Sequence, residues 1–173
     1  MRIPFHHAAL MKQIKKEIII NAPAHEVYEH WTQFEDLPLI FPGVLLVRQL
    51  GDRHFYWQVD LYGREFEWES EVTEQIPGYY VAWRSVVGRK HSGAVSFDKI
   101  GTNTTRLSLT LEYETEGAVE RLVDFLGALD RHLDRALEVF GTFMEARAHP
   151  VENWRSHFPE METQAAGERW TQY

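Results

Sequence analysis

Hydrophobic positions change period three times along the chain. Lys12, Lys15 and Lys16 lead into Glu17-Ile18-Ile19-Ile20, a β-branched run closed by Asn21-Ala22-Pro23, which predicts a strand and a break. Asn21 is then a candidate helix cap, and Val27, Tyr28, Trp31 and Phe34 recur at helical spacing. Pro38 and Pro42 interrupt Leu37 to Phe41, so a second short helix or turn ends near Gly43.

Beyond Gly43 the period falls toward two. Val44 to Leu50 is a strand, and His54 to Leu61 alternates with Phe55, Trp57, Val59 and Leu61 on one side. Glu65 to Gln75 alternates most clearly: Phe66, Trp68, Ser70 and Val72 share one face, and Glu65, Glu67, Glu69 and Glu71 the other. Tyr79 to Ser85 follows, a turn spans Gly88 to His91, and Gly93, Val95 and Phe97 share a face. The last strand, about Thr105 to Tyr113, points Leu107, Leu109, Leu111 and Tyr113 one way. From Val119 to about Arg147 the helical period returns, and its stripe needs a long apolar surface, which the aromatic face of the sheet supplies. The expected boundaries are a flexible extension over residues 1–10, one domain over 11–148 and a tail over 149–173 in which Trp154, Phe158 and Trp170 suggest local packing.

Composition narrows the function classes. In 173 residues, 44% are hydrophobic, 18 Lys and Arg face 26 Asp and Glu, and cysteine is absent. The net charge of −8 argues against nucleic acid, whose affinity comes mainly from cations displacing counterions. Lack of cysteine excludes thiol catalysis and thiolate metal sites and fits a cytoplasmic setting. No apolar window is long enough for an integral membrane segment, and MRIPFHHAAL does not resemble a signal peptide.

Most candidate chemistry fails on spacing. His25 and His30 lie about 140° apart on a helix and cannot share a metal ion. His6, His7 and His132 read as solvated, while His54 and His91 sit near strand ends within reach of a cavity mouth. The Glu65 to Glu71 row is the wet side of an antiparallel sheet, not a pair of carboxylates flanking a substrate. No phosphate-binding loop or serine-elbow motif is present, and no cofactor is implied.

The order of elements, together with IIINAPAHEVYEHWTQFEDLPLIFPGV, VAWRSVVGRKHSGAVSFDKI and the long final helix, resembles the START-like, or SRPBCC, superfamily. The resemblance covers residues 11 to about 147 and points to the polyketide cyclase/dehydrase and coenzyme-Q-binding branch. It implies an α+β helix-grip fold: a curved antiparallel sheet of about seven strands wrapped around the C-terminal helix, with two short helices after the first strand. It also implies an internal cavity for an apolar or aromatic small molecule. In such a fold Trp57, Phe66, Trp68, Ser70, Trp83, Phe97, Leu109 and Tyr113 face Leu126, Leu129, Leu133, Leu137 and Phe140, with Trp31 and Phe34 near one mouth. Each of these is either core or ligand contact. Flat rings either interlock with the helix or leave a slot for a flat guest.

Aromatase/cyclase members of the family alternate tryptophan, a hydroxyl residue and arginine along an inward strand. Trp68 and Ser70 match, but Val72 stands where arginine is expected, leaving Tyr113 or Arg84 as substitutes, with Arg89 a further cation. Arg84 faces solvent or cavity according to a one-residue register choice. The balance favours a carrier of a lipid, quinone or polyketide-like molecule over an enzyme; the alternatives are a polyketide cyclase/dehydratase, and an interaction module with a filled core, such as a homodimer using its aromatic tail. Burying about 300 Å² of ligand surface at roughly 25 cal/mol per Å² contributes around 7 kcal/mol before association costs.

Overall fold

The computed structural model describes residues 10–115 and 119–148. Strand β1, Leu10–Ile20, is followed by helix α1, Ala24–Thr32, and a 3₁₀ turn over Phe34–Leu39. Six strands succeed one another: β2 Val44–Gly51, β3 His54–Asp60, β4 Glu65–Ile76, β5 Tyr80–Val87, β6 His91–Gly101 and β7 Thr104–Thr115. Helix α2 runs from Val119 to Ala148. The seven strands form one antiparallel sheet in the order β1-β7-β6-β5-β4-β3-β2, the α+β helix-grip arrangement.

Three local readings change. β1 begins at Leu10, ahead of the β-branched run, because it pairs along the whole of β7, from Leu10 opposite Thr115 to Ile20 opposite Thr105. Asn21 does not cap α1. Pro23 occupies the cap with φ −62° and ψ 140°, and the Asn21 backbone and side-chain amides both donate to Glu145 Oε1 on α2. His91 opens β6, opposite Tyr113, and does not close a turn. His6, His7, Trp154, Phe158 and Trp170 lie outside the described residues.

The concave face of the sheet carries the core. Val95, Phe97 and Leu107 are fully buried on β6 and β7, and α2 lays Leu129, Ala136, Leu137, Phe140 and Met144 against that face. Two ties fix the helix to the β1 side. Lys16 Nζ, whose side chain is largely buried, reaches Asp130 at 2.9 Å and Asp134 at 2.7 Å, and the Asn21–Glu145 bonds hold the far end. On the opposite side the 3₁₀ turn is pinned to the edge strand, because Glu35 Oε1 accepts the Gln49 backbone N–H at 3.0 Å.

Ring placement depends on one close approach. Gly93 pairs with Trp83, and a Cβ at Gly93 would run into the Trp83 indole and stand 2.6 Å from Leu111 Cδ2. The indole therefore lies across β6 in the space that glycine leaves open. Gly93→Ala is expected to cost about 1–3 kcal/mol by overpacking, seen as a lower urea midpoint with an unchanged slope. A variant as stable as the parent would show that Trp83 does not occupy that space.

Candidate active site

A cavity of about 210 Å³ lies between the sheet and α2. A water molecule takes up roughly 30 Å³ in the liquid, so the space exceeds a packing defect and a filled core is excluded. Its walls are almost wholly apolar. From α1 and the 3₁₀ turn come Trp31, Phe34 and Leu37; from β3, Phe55, Trp57 and Val59; from β4, Phe66, Trp68, Ser70 and Val72. Trp83, Leu109, Leu111 and Tyr113 extend the sheet wall, and Leu129, Leu133, Ala136 and Leu137 form the helix wall.

Twelve residues expected from the sequence line this space: Trp31, Phe34, Trp57, Phe66, Trp68 and Ser70, with Trp83, Leu109, Tyr113, Leu129, Leu133 and Leu137. Three do not. Phe97 and Phe140 are fully buried in a solid aromatic cluster: Trp31 meets Phe97 and Phe140 edge-on at 6.1 and 5.4 Å, and Phe41 stacks on Phe140 at 5.4 Å. Leu126 is half-buried against the core, away from the cavity.

Cross-strand register orders the rings. Trp57 and Trp68 pair directly and stack with centroids 6.0 Å apart and planes at 6°. The Trp57 indole N–H donates to Ser70 Oγ at 2.8 Å, satisfying the buried hydroxyl as acceptor and leaving its own proton to donate. Trp68 meets His91 edge-on at 5.3 Å, and His91 stacks on Tyr113 at 5.5 Å. A band of rings thus crosses the concave face from β3 to β7.

The polar groups gather at one end. Arg89 and Glu67 are exposed and also line the cavity, which marks its mouth at the β3–β4 and β5–β6 turns. Arg89 lies over the Phe66 ring at 5.8 Å, and its charge reaches Tyr113. His91 is 8% exposed, and its Nδ1 lies 2.9 Å from the Arg89 carbonyl oxygen. A carbonyl only accepts, so Nδ1 carries the proton and Nε2 is the basic nitrogen of the neutral ring. Burial pushes the His91 pKa down, and the bond to the Arg89 carbonyl opposes this only in part. Burial pushes the Tyr113 phenol well above its usual range, while the Arg89 charge pulls the other way. At neutral pH the mouth therefore presents a neutral imidazole, a protonated phenol and a guanidinium.

His132 occupies the opposing lip. Sequence spacing assigns it to a solvated face, yet it lines the cavity and packs on Gly43, where φ is +81° and a Cβ would collide with Asp60 O and the imidazole. Arg84, in contrast, faces solvent and pairs with Glu71 at 3.1 Å. The signal for His91 is present in the chain: the two-residue period of Gly93, Val95 and Phe97 extends back to it. Arg89 carries no such signal, since it projects from a turn.

The model of the family described as polyketide cyclase / dehydrase and lipid transport matches residues 20–139. The chain belongs to this family. An uncharacterised 17.2 kDa protein of Streptomyces lincolnensis is 32% identical over 146 residues, which span 84% of this chain and 97% of the relative. The fold is similar to that of the Zhui aromatase/cyclase of a Streptomyces species, with TM-score 0.69 and 20% identity, covering 83% of this chain and 99% of the other. It is also similar to that of the di-domain ARO/CYC protein BexL, with TM-score 0.67 and 20% identity, covering 80% of this chain and 48% of the other. The expectation that a carrier is favoured over an enzyme is corrected by the family match, whose description names cyclase and dehydrase chemistry beside lipid transport. Val72 leaves β4 without a polar group at that position, and the cavity instead carries polar side chains on β6, β7 and the turn between β5 and β6. Among the described residues, no helix is long and apolar enough to cross a membrane.

His132 also resists protonation, chiefly through burial, against the opposing effects of the Pro42 carbonyl and Asp60 and with a small further contribution from the Arg135 charge. Both histidines bind a proton more readily in the unfolded chain, near the ordinary 6.5. Below that pH the unfolded state takes up more protons, so stability is full above it and is lost as pH falls through the lower folded values. Urea midpoints should be level above about pH 7 and decline as pH drops below about 6.5, with a smaller decline in His91→Gln. Midpoints that hold level through that acidic range would contradict the burial of these rings.

Proposed function

We propose that this protein is a polyketide cyclase/dehydratase that folds an apolar poly-β-carbonyl chain inside the cavity and closes an aromatic ring with loss of water. The reading is carried by one observation: a neutral, buried imidazole stacked on a protonated phenol, beside a guanidinium, at the mouth of an apolar chamber. Chemistry of this kind needs a base for an acidic C–H, charge to offset an enolate and a proton for the new alkoxide.

The groups divide the work as follows. His91 Nε2 takes the proton from a methylene between two carbonyls, and the electron pair of that bond becomes the enolate. Arg89 offsets the developing negative charge, which the surrounding low dielectric makes more effective than in water. The enolate carbon attacks a second carbonyl carbon of the same chain, and the Tyr113 hydroxyl gives its proton to the oxygen of that carbonyl. Dehydration reverses both transfers. The tyrosinate removes the remaining proton from the attacking carbon, the imidazolium protonates the departing hydroxyl, and water leaves as the carbon–carbon double bond forms. Both side chains return to their starting state. Ser70, held by the Trp57 N–H, offers a donor that orients a carbonyl deeper in the chamber, and the apolar walls exclude the water that would compete for the enolate.

Purified protein incubated with a synthetic aromatic poly-β-ketone should generate a new ring absorbance and a product lighter by one water per ring closed, followed by chromatography and mass spectrometry. His91→Gln should lower kcat by about 10²–10⁴ while probe affinity changes only a few-fold, and Tyr113→Phe should slow turnover with the fold intact. The parent's kcat should also fall below neutral pH as His91 protonates. Full turnover by a folded His91→Gln variant would remove the proposed base.

A further inference from the structure

At the end of the chamber opposite the mouth lies a second, polar space of about 380 Å³, a groove open to solvent between the 3₁₀ turn, the β2–β3 turn and the far end of β4. The two spaces share three wall residues, Phe34, Phe55 and Val72. Phe34 meets Phe55 edge-on with centroids 4.8 Å apart and lies 6.0 Å from the Trp57 ring, so the two phenyl rings and the Val72 side chain border both spaces and stand between them. On the chamber side the neighbours are Trp57 and Leu37; on the other they are Gln33, Asp36, Asp52 and Gln75.

The three members of the partition are not equally fixed. Phe55 is 7% exposed and Val72 is 4% exposed, each within a strand of the sheet. Phe34 is half-buried and stands at the start of the 3₁₀ turn, directly after Gln33, whose φ of −78° and ψ of 68° break the helical path between α1 and the turn. Phe34 is thus the least enclosed member of this wall.

We infer that Phe34 determines specificity by setting the length of substrate the chamber accepts. This rests on the cavity being the substrate site, as proposed above. With the ring in place, a guest entering past Arg89 must end at an apolar wall, which selects a compact, wholly apolar leading end. With the ring removed, a longer guest reaches amide and carboxylate groups that suit a hydroxyl-bearing terminus but not a bare alkyl one.

The test uses the full chain and naphthalenes bearing ω-hydroxyalkyl chains of increasing length, with the matching unhydroxylated series alongside. Dissociation constants are read from tryptophan quenching and confirmed by native mass spectrometry. In the parent, affinity should drop sharply beyond a certain chain length. In Phe34→Ala the drop should move to longer chains, with at least a tenfold gain for the longest hydroxylated member and a smaller gain for its alkyl counterpart. Phe34→Leu, which retains most of the packing, should give an intermediate shift and serves if the alanine variant does not fold. A folded variant with the parent's length cut-off, or with all members weakened alike, overturns the role of Phe34. Failure of every member to bind either protein overturns the cavity as the substrate site, and this inference with it.

Discussion

The rings on the concave face are held by the sheet instead of by the helix, and the cavity exists because of that. Trp57 is fixed by its stack on Trp68 and its bond to Ser70, Trp83 lies in the space above Gly93, and His91 is tied to the Arg89 carbonyl and stacked on Tyr113. Rings committed to their strand neighbours do not reach across to interdigitate with Leu129, Leu133 and Leu137. A close-packed interior would need side chains from both layers in the same volume. The helix, anchored to β1 by Lys16 and to the strand end by Asn21, is kept from collapsing onto them.

The ends of the chamber differ in kind. Beside α1, Trp31, Phe41, Phe97 and Phe140 form a solid aromatic cluster, and Phe34, Phe55 and Val72 close the end that borders the second space. At the mouth, turns bring Arg89 and the Gly43–His132 contact together, so charge and polarity concentrate where solvent can support them. Burial rises from Arg89 to His91 and Tyr113, and that gradient poises the three groups differently. The guanidinium keeps its charge near water, whereas the imidazole and phenol are driven to their neutral forms by the apolar surroundings.

Much of this organisation is legible in the chain. The two-residue alternation assigns Phe66, Trp68, Ser70 and Val72 to one face of β4 and the carboxylates to the other, and the structure follows that division except at Glu67, which also meets the cavity mouth. The same logic predicts the inward faces of β3 and β7. It fails where a residue sits at a boundary. His91 reads as part of a turn because Gly88 precedes it, although the period of Gly93, Val95 and Phe97 extends back to it, and its pairing opposite Tyr113 decides for the strand. Arg84 and Arg89 are equivalent as sequence, five residues apart; one lies on the outward face and meets Glu71, and the other curls from a turn to the mouth.

Periodicity along one strand or helix is a local property, so the chain alone was sufficient for the element order, the inward and outward faces and the family resemblance. Distances between strands are not local. Whether Phe97 and Phe140 line a cavity or fill a core, and whether Phe34 divides two spaces, follows from how far α2 stands from the sheet and which rings are already engaged by their neighbours. Those quantities depend on contacts between residues far apart in the chain, including Lys16 with Asp130 and Asn21 with Glu145, whose pairing no hydrophobic pattern encodes.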